Sequence, residues 1–171
     1  MRGPTTADAD FTEFVQARST QLYRTAYLLA GSADRAEDLV QAALTKAYAA
    51  WWRVRRADDP VAYVHGVLIK TFLSDRRRRS SSELPVADTP ERPLHQPDPA
   101  DRLALVAALA ELAPVDRAVV VLRFWEDRSV AQTATDLGLS EAAVKNRSLR
   151  ALRALRARLS EPTPRPNGST R

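Results

Sequence analysis

A basic segment near the carboxyl end of the chain carries the side chains with the clearest binding chemistry. One face of a predicted helix and its flanks carry Ala142, Lys145, Asn146, Arg153, Arg150 and Arg156. Amide, ammonium and guanidinium groups at this spacing can donate hydrogen bonds to base edges and phosphates. The pattern favours a helix that contacts DNA. A basic amphipathic helix on a solvated face, or one that binds a protein partner, is the alternative.

Two helices joined by a tight turn position these side chains. Ser129 and Gln132 have capping-box spacing, so a helix is predicted to begin after Ser129. Gly138 can adopt the left-handed conformation that ends it, and Ser140 can cap the next helix. Ala134 leaves room for the helices to cross closely, as in a helix-turn-helix. The predicted buried face of the second helix is Val144, Ser148, Ala151, Leu155 and Leu159.

Composition limits the other classes of function. The 171 residues carry a net charge of +5, which favours a polyanionic partner. There is no cysteine, and two isolated histidines are too few for a catalytic or zinc site. We therefore expect neither an enzyme nor a bound cofactor or metal. The first residues resemble no signal peptide, and no stretch of about 20 apolar residues occurs, so a cytoplasmic (bacterial) location is expected.

Two predicted helices open the chain after residues 1–9, which are expected to form a loose arm. Apolar residues at helical spacing begin at Phe11, and Gly31 is predicted to end that helix. The second helix, 33–53, is predicted to be capped by Ser32 and to bury one face. Its opposite, exposed stripe consists of Asp34, Asp38, Gln41, Thr45, Ala49 and Trp52. Trp52 could either cover the next helix or meet a partner.

The third helix follows a charged loop, 53–59. Asp59 is predicted to cap it, with Pro60 at its first position. His65 is predicted to be a core or boundary residue and not a ligand. One stripe carries Tyr63, Gly66, Lys70, Ser74 and Arg77. Aromatic and cationic side chains together suit single-stranded nucleic acid, although an ordinary solvated face is the alternative.

A change in composition then divides the chain. Five of its 11 prolines lie between Ser80 and Asp101, in a segment that is also acidic. This segment is predicted to be a flexible linker between two small all-α domains. The predicted boundaries are 10–80 for the first domain, 81–98 for the linker and 99–160 for the second domain. A compact pairing of the domains is expected only where a partner or the linker holds it.

Three blocks of sequence, in this order, resemble one family. They are AEDLVQAALTKAY (36–48), DPVAYVHGVLIKTFLSDRRRR (59–79) and the run from Arg117 to Arg156 that includes the helix-turn-helix. They are similar to regions 2 and 4 of the extracytoplasmic-function (ECF) sigma factors of bacterial RNA polymerase, and most similar to the actinobacterial SigE-like subgroup. The resemblance implies an alternative sigma factor that binds core polymerase and directs promoter-specific transcription initiation.

The resemblance also implies roles for particular residues. Residues implied to bind core RNA polymerase are Asp38, Gln41 and Thr45. Residues implied to bind the unwound −10 strand of promoter DNA are Arg53, Arg55, Arg56, Tyr63, Lys70 and Arg77. Residues implied to bind the double-stranded −35 element are Ser140, Glu141, Ala142, Lys145, Asn146, Arg147 and Arg150. An anti-sigma factor is a further partner that the family allows.

Two positions depart from the family pattern, and two rival functions remain open. The family usually has Asn where this chain has Lys70, and the subgroup often has an aromatic residue at Asp75. Lys70 would make strand capture less selective for base, and Asp75 would repel phosphates.

The first rival function is that of a polymerase-independent, dimeric helix-turn-helix regulator. The second is a protein that sequesters polymerase or another factor without opening DNA.

Overall fold

A computed structural model describes residues 5–81 and 99–160, and all regular secondary structure in these ranges is helical. The elements are α1 (Thr6–Ala30), α2 (Ala33–Ala49), α3 (Trp51–Val54), α4 (Pro60–Ser81), α5 (Pro99–Ala110), α6 (Pro114–Val120), a π-helical segment (Val121–Trp125), α7 (Val130–Leu137) and α8 (Glu141–Ser160). The predicted linker lies outside the described residues, except that Ser81 ends α4. The all-α fold class is confirmed.

Helix α1 begins earlier than the sequence pattern predicts, so the loose arm is wrong for residues 6–9. Thr5 and Asp8 form a capping box: the Asp8 amide donates to the Thr5 hydroxyl at 3.3 Å, and the Thr5 amide donates to the Asp8 carboxylate at 2.8 Å. The cap satisfies two polar groups that a helix start would otherwise leave unpaired. At the other end, Gly31 ends α1 with a φ of 87°, as predicted.

Helix α2 ends at Ala49, before the predicted end at Arg53. Ala50 leaves the helical region with φ −108° and ψ 18°, and the short helix α3 begins directly after it. Burial explains the break, because Trp51 is 6% exposed and Val54 is fully buried. The Trp51 ring lies 5.1 Å and 5.3 Å from the rings of Phe11 and Phe14. Ser32 precedes α2 with extended backbone but without a side-chain hydrogen bond to the helix.

Helix α4 packs across α1 and α2 and completes the N-terminal domain. Its start follows the prediction, because the Ala62 amide donates to the Asp59 carboxylate at 2.9 Å and Pro60 is the first helical residue. Its inward face buries Val64, Leu68 and Phe72 almost completely. The opposite stripe is therefore held on a rigid support.

The C-terminal domain contains the predicted helix-turn-helix. Both capping-box bonds of α7 are present, at 2.9 Å and 3.1 Å between Ser129 and Gln132. Gly138 has a φ of 64°, and the Ala143 amide donates to the Ser140 hydroxyl at 3.1 Å. The predicted buried face of α8 is confirmed except at Leu159. That residue is 48% exposed because it lies in the last turn of α8.

The two domains pack directly against each other in the described residues. One hydrophobic cluster includes Leu29 and Phe72 of the first domain and Leu109 and Leu122 of the second. A compact pairing is predicted only where a partner or the linker holds it. The described side chains of the two domains contact each other directly, and the linker lies outside the described residues. The packing is a long-range property that helical periodicity does not encode.

Candidate nucleic-acid interface

The exposed stripe on α2 is polar and rigidly supported. Asp38, Gln41 and Thr45 are all exposed, and Ala43 on the opposite side is buried. The Thr45 hydroxyl donates to the Gln41 carbonyl at 2.8 Å within the helix. Asp38 and Gln41 therefore present a carboxylate and an amide one turn apart, ready for hydrogen bonds with a partner.

The stripe on α4 places an aromatic ring and cations on one helical face. Lys70 and Arg77 are exposed, while Tyr63 is partly buried and packs against the hydrophobic core. The spacing of seven residues keeps all three within a narrow arc of the helix. Buried packing on the other side of α4 fixes the direction in which they project.

The segment from α3 to α4 adds further arginines. The Arg53 guanidinium lies over the Trp52 ring, 5.1 Å from its centroid. Arg55 forms a 3.5 Å ion pair with Asp10, in which both side chains are about half exposed, and Arg56 is exposed. Trp52 is 57% exposed, so more than half of its surface does not cover the next helix.

The start of α8 is the exposed part of the helix-turn-helix. The exposed side chains there are Ser140, Glu141, Ala142, Lys145 and Asn146. They lie opposite the buried residues Val144 and Ser148. A helix that exposes short polar side chains at its amino end while burying its other face has the shape needed to enter a major groove.

Asp116 on α6, which the sequence analysis did not single out, holds two of the predicted DNA-binding arginines. Its carboxylate accepts hydrogen bonds from Arg147 at 2.7 Å and from Arg150 at 3.0 Å and 3.2 Å. Asp116 is 7% exposed, whereas the Arg150 side chain is 66% exposed. These bonds fix α8 against α6 and orient both guanidinium groups, and the predicted phosphate contacts of the two arginines stay predictions.

Comparison with known proteins matches each of the two domains to a family model. The family model for sigma-70 region 2 matches residues 14–82, and the model for sigma-70 region 4 matches residues 102–155. The RNA polymerase sigma-E factor of Streptomyces coelicolor is 38% identical over 152 residues, which cover 88% of this chain and 86% of that protein. The chain belongs to the ECF sigma factors. The ECF RNA polymerase sigma factor SigL of Mycobacterium tuberculosis is 36% identical, with 82% of this chain and 83% of that protein covered.

A solved structure has the same arrangement of helices. The sigma factor RpoE of Bartonella quintana, in a complex with the anti-sigma factor NepR, matches with a TM-score of 0.76 and 25% sequence identity. The match covers 90% of this chain and 99% of that chain. The sigma factor described here therefore shares its fold with a structure that was determined bound to a regulator.

A buried arginine joins the two domains of the sigma factor. Arg117 on α6 is 1% exposed and donates to the Leu29 carbonyl of α1 at 2.6 Å. It also donates to the Ala110 and Leu112 carbonyls at 2.6 Å and 3.2 Å, and its guanidinium lies over the Phe72 ring. Burial, with the charges of two other arginines, lowers the pKa of Arg117 to about 10, so it stays charged at neutral pH. Helical periodicity gave no signal for this contact.

A second polar contact between the domains centres on Glu126. Its carboxylate accepts a hydrogen bond from the Thr25 hydroxyl of α1 and lies 2.7 Å from Nδ1 of His65 on α4. The side chains of His65 and Glu126 are 5% and 8% exposed. The predicted role of His65 as a core or boundary residue is thus confirmed. Its ring lies at the boundary between the domains.

No described helix is long and apolar enough to cross a membrane. Within residues 5–81 and 99–160, no three His, Asp or Glu side chains are grouped to hold a metal ion.

Proposed function

We propose that this sigma factor binds core RNA polymerase through the exposed α2 stripe of Asp38, Gln41 and Thr45. The observation that carries the proposal is the position of this stripe in the N-terminal domain. It lies within the part of the chain that matches sigma-70 region 2, and it is exposed while the two domains are packed together. A carboxylate and an amide in this setting favour hydrogen bonds and ion pairs with a polar partner surface.

The surface from α3 to α4 is proposed to capture the unwound −10 strand. Its residues are Arg53, Arg55, Arg56, Tyr63, Lys70 and Arg77. Cations attract the phosphates of a single strand, and an aromatic ring supports an unstacked base. Asp75, one of the two departures from the family pattern, is partly buried, which limits the repulsion between its carboxylate and DNA phosphates.

The exposed start of α8 is proposed to contact the −35 element. Lys145 and Asn146 can donate hydrogen bonds to base edges, and Arg147 and Arg150 can reach phosphates from the orientation that Asp116 gives them. Ser140, Glu141 and Ala142 complete the face that enters the groove. The proposed division into 10–80, 81–98 and 99–160 assigns one promoter element to each domain.

The proposal also covers partners and location. The chain would act in the bacterial cytoplasm with core polymerase and promoter DNA, without a catalytic centre, metal or cofactor of its own. An anti-sigma factor would restrain it, a proposal supported by the similar fold of RpoE, whose structure contains NepR.

Reconstituted transcription tests the proposed function. The chain is added to core polymerase on a promoter library, run-off transcripts are measured, and permanganate detects unpaired thymines near −10. We expect specific transcripts and reactive thymines that depend on the chain. DNA binding without core polymerase by a dimer, measured by light scattering, would favour the helix-turn-helix regulator. Binding to polymerase without melting would favour a sequestering protein.

A further inference from the structure

The short helix α3 has two buried and two exposed residues. Trp51 and Val54, three positions apart, are 6% and 0% exposed and anchor the turn in the core. Edge-on and tilted ring contacts from Phe11 and Phe14 hold Trp51. Trp52 and Arg53, between the two anchors, project outward and are exposed. The core therefore fixes the backbone that presents them.

Trp52 and Arg53 form a stacked pair. The guanidinium carbon lies 5.1 Å from the centroid of the Trp52 ring, and Trp52 remains 57% exposed. Contact between an apolar tryptophan ring and water is unfavourable. A partner that covers the ring removes this contact and so gains binding free energy. Because more than half of the Trp52 surface is exposed, the ring still has area that a planar group can cover.

We propose that Trp52 is a stacking platform for an unpaired base of the promoter strand, with Arg53 holding its ring. This inference rests on the proposed function and adds a residue that the −10 assignment above does not include. Bases stack on aromatic rings regardless of their identity, so the platform would help to hold the strand open without selecting a sequence.

The charges around Trp52 favour nucleic acid over a polymerase surface. Arg53, Arg55 and Arg56 follow it directly, whereas the polymerase-binding stripe carries the carboxylate of Asp38. Trp52 lies 14 residues after Asp38, beyond the break at Ala50 that ends α2. It also precedes the loop that leads into α4, where Tyr63 and Lys70 lie. Trp52 therefore lies next to the arginines of the segment from α3 to α4.

Three substitutions at one position separate base stacking from an apolar protein contact. Trp52→Phe keeps an aromatic face, Trp52→Leu keeps apolar volume without a π-face, and Trp52→Ala keeps neither. Because Trp52 is more than half exposed, all three variants should fold, and circular dichroism melting checks this. Each variant is assembled with core polymerase, and the affinity of that assembly step is measured first.

The probe is a fork-junction DNA with a duplex −35 element and a single-stranded non-template −10 segment that carries 2-aminopurine. It is built on a promoter that the wild-type holoenzyme transcribes. We expect Trp52→Ala and Trp52→Leu to bind the fork about tenfold more weakly and to lose the quenching of 2-aminopurine. Trp52→Phe should retain most of both, and binding to core polymerase and to a duplex −35 fragment should change less than twofold.

The other outcomes overturn the inference. If Trp52→Leu binds the fork as well as Trp52→Phe does, the role of Trp52 is an apolar contact and not base stacking. Weakened core binding by Trp52→Ala would place Trp52 in the polymerase interface instead. Unchanged fork binding by Trp52→Ala would remove any role for the ring. Failure of the wild-type chain to bind core polymerase is a separate result, which contradicts the proposed function itself.

Discussion

At the scale of single residues, the carboxylate of Glu126 links the domains through its charge. Burial raises its pKa, but the contacts with His65 and Thr25 and the nearby positive charges outweigh burial and leave the pKa below its ordinary value of 4.5. A carboxyl group whose pKa is lowered in the folded state stabilises that state above its unfolded pKa. The contribution is lost as the pH falls through the folded pKa.

The pH dependence of this contribution is testable with Glu126→Gln. At pH 7 the variant should be less stable than the wild type by about 1–3 kcal/mol, because a buried charged acceptor is lost. The difference should shrink as the pH falls below 4.5 and through the lowered folded-state pKa, because the wild-type carboxyl then becomes neutral as well. Thermal melting of both proteins, from pH 7 down to the lowest pH at which the wild type still folds, measures the difference. A difference that stays constant over this range would contradict the role of the charge.

Lys145 is an exposed cation on the proposed DNA-contact face of α8. Lys145→Ala should weaken binding to a duplex −35 element by about 1–3 kcal/mol while leaving binding to core polymerase unchanged. Arg158→Ala is the control on the same helix, because Arg158 is already paired with Glu111 at 2.5 Å. Electrophoretic mobility shifts with specific and random duplexes compare the two variants. Equal losses on both duplexes would show that Lys145 contacts only the backbone.

At the scale of helices, local sequence signals predicted the caps well. The bonds of Ser129 and Ser140 and the left-handed Gly138 are interactions within a few residues, and such signals can be recognised in the sequence. The break at Ala50 was missed, because the burial of Trp51 against distant aromatic rings overrides helical periodicity. The capping box at Thr5 was missed because Asp8, and not the more typical Glu or Gln, completes it.

Two glycines isolate the effect of backbone conformation. An added Cβ would meet nothing within 4 Å at either Gly66 or Gly138, but Gly138 has a φ of 64° and Gly66 lies inside α4. Gly138→Ala should therefore destabilise the protein by about 1 kcal/mol, and Gly66→Ala should stabilise it by about the same amount. Chemical denaturation followed by circular dichroism measures both. Shifts of the same sign would contradict this assignment of the backbone.

At the scale of the whole molecule, the packed domains are too compact to reach both of the proposed promoter elements on straight duplex. The −10 and −35 elements are about 25 base pairs apart, or roughly 85 Å along straight duplex at 3.4 Å per step. A compact body of this size has a radius of gyration of about 14 Å, so it spans about 40 Å. Under the proposed function, the contacts of Arg117 and Glu126 between the domains should therefore break before both elements are bound. Contacts between residues so distant in sequence were invisible to periodicity.

A disulfide across the domains tests this requirement. A Cβ built on Gly31 would lie 3.7 Å from the Cβ of Ala110, within the range of bonded cysteines, and the chain has no cysteine of its own. Oxidised Gly31→Cys, Ala110→Cys protein should lose at least tenfold in run-off transcription, and reductant should restore it. The two single variants, treated with the same oxidant, are the controls. Full activity of the cross-linked protein would show that the domains need not separate.

Binding to core RNA polymerase is the most direct test of the central claim. The wild type is compared with Asp38→Arg, Gln41→Arg, which places two cations on the α2 stripe. The matched control is Glu13→Arg, Gln16→Arg, an exposed carboxylate and amide at the same spacing on α1. We expect tight binding by the wild type and the control, and at least a tenfold loss for the α2 variant. Equal binding by all three proteins would contradict the α2 interface, and no binding by the wild type would contradict the sigma-factor function.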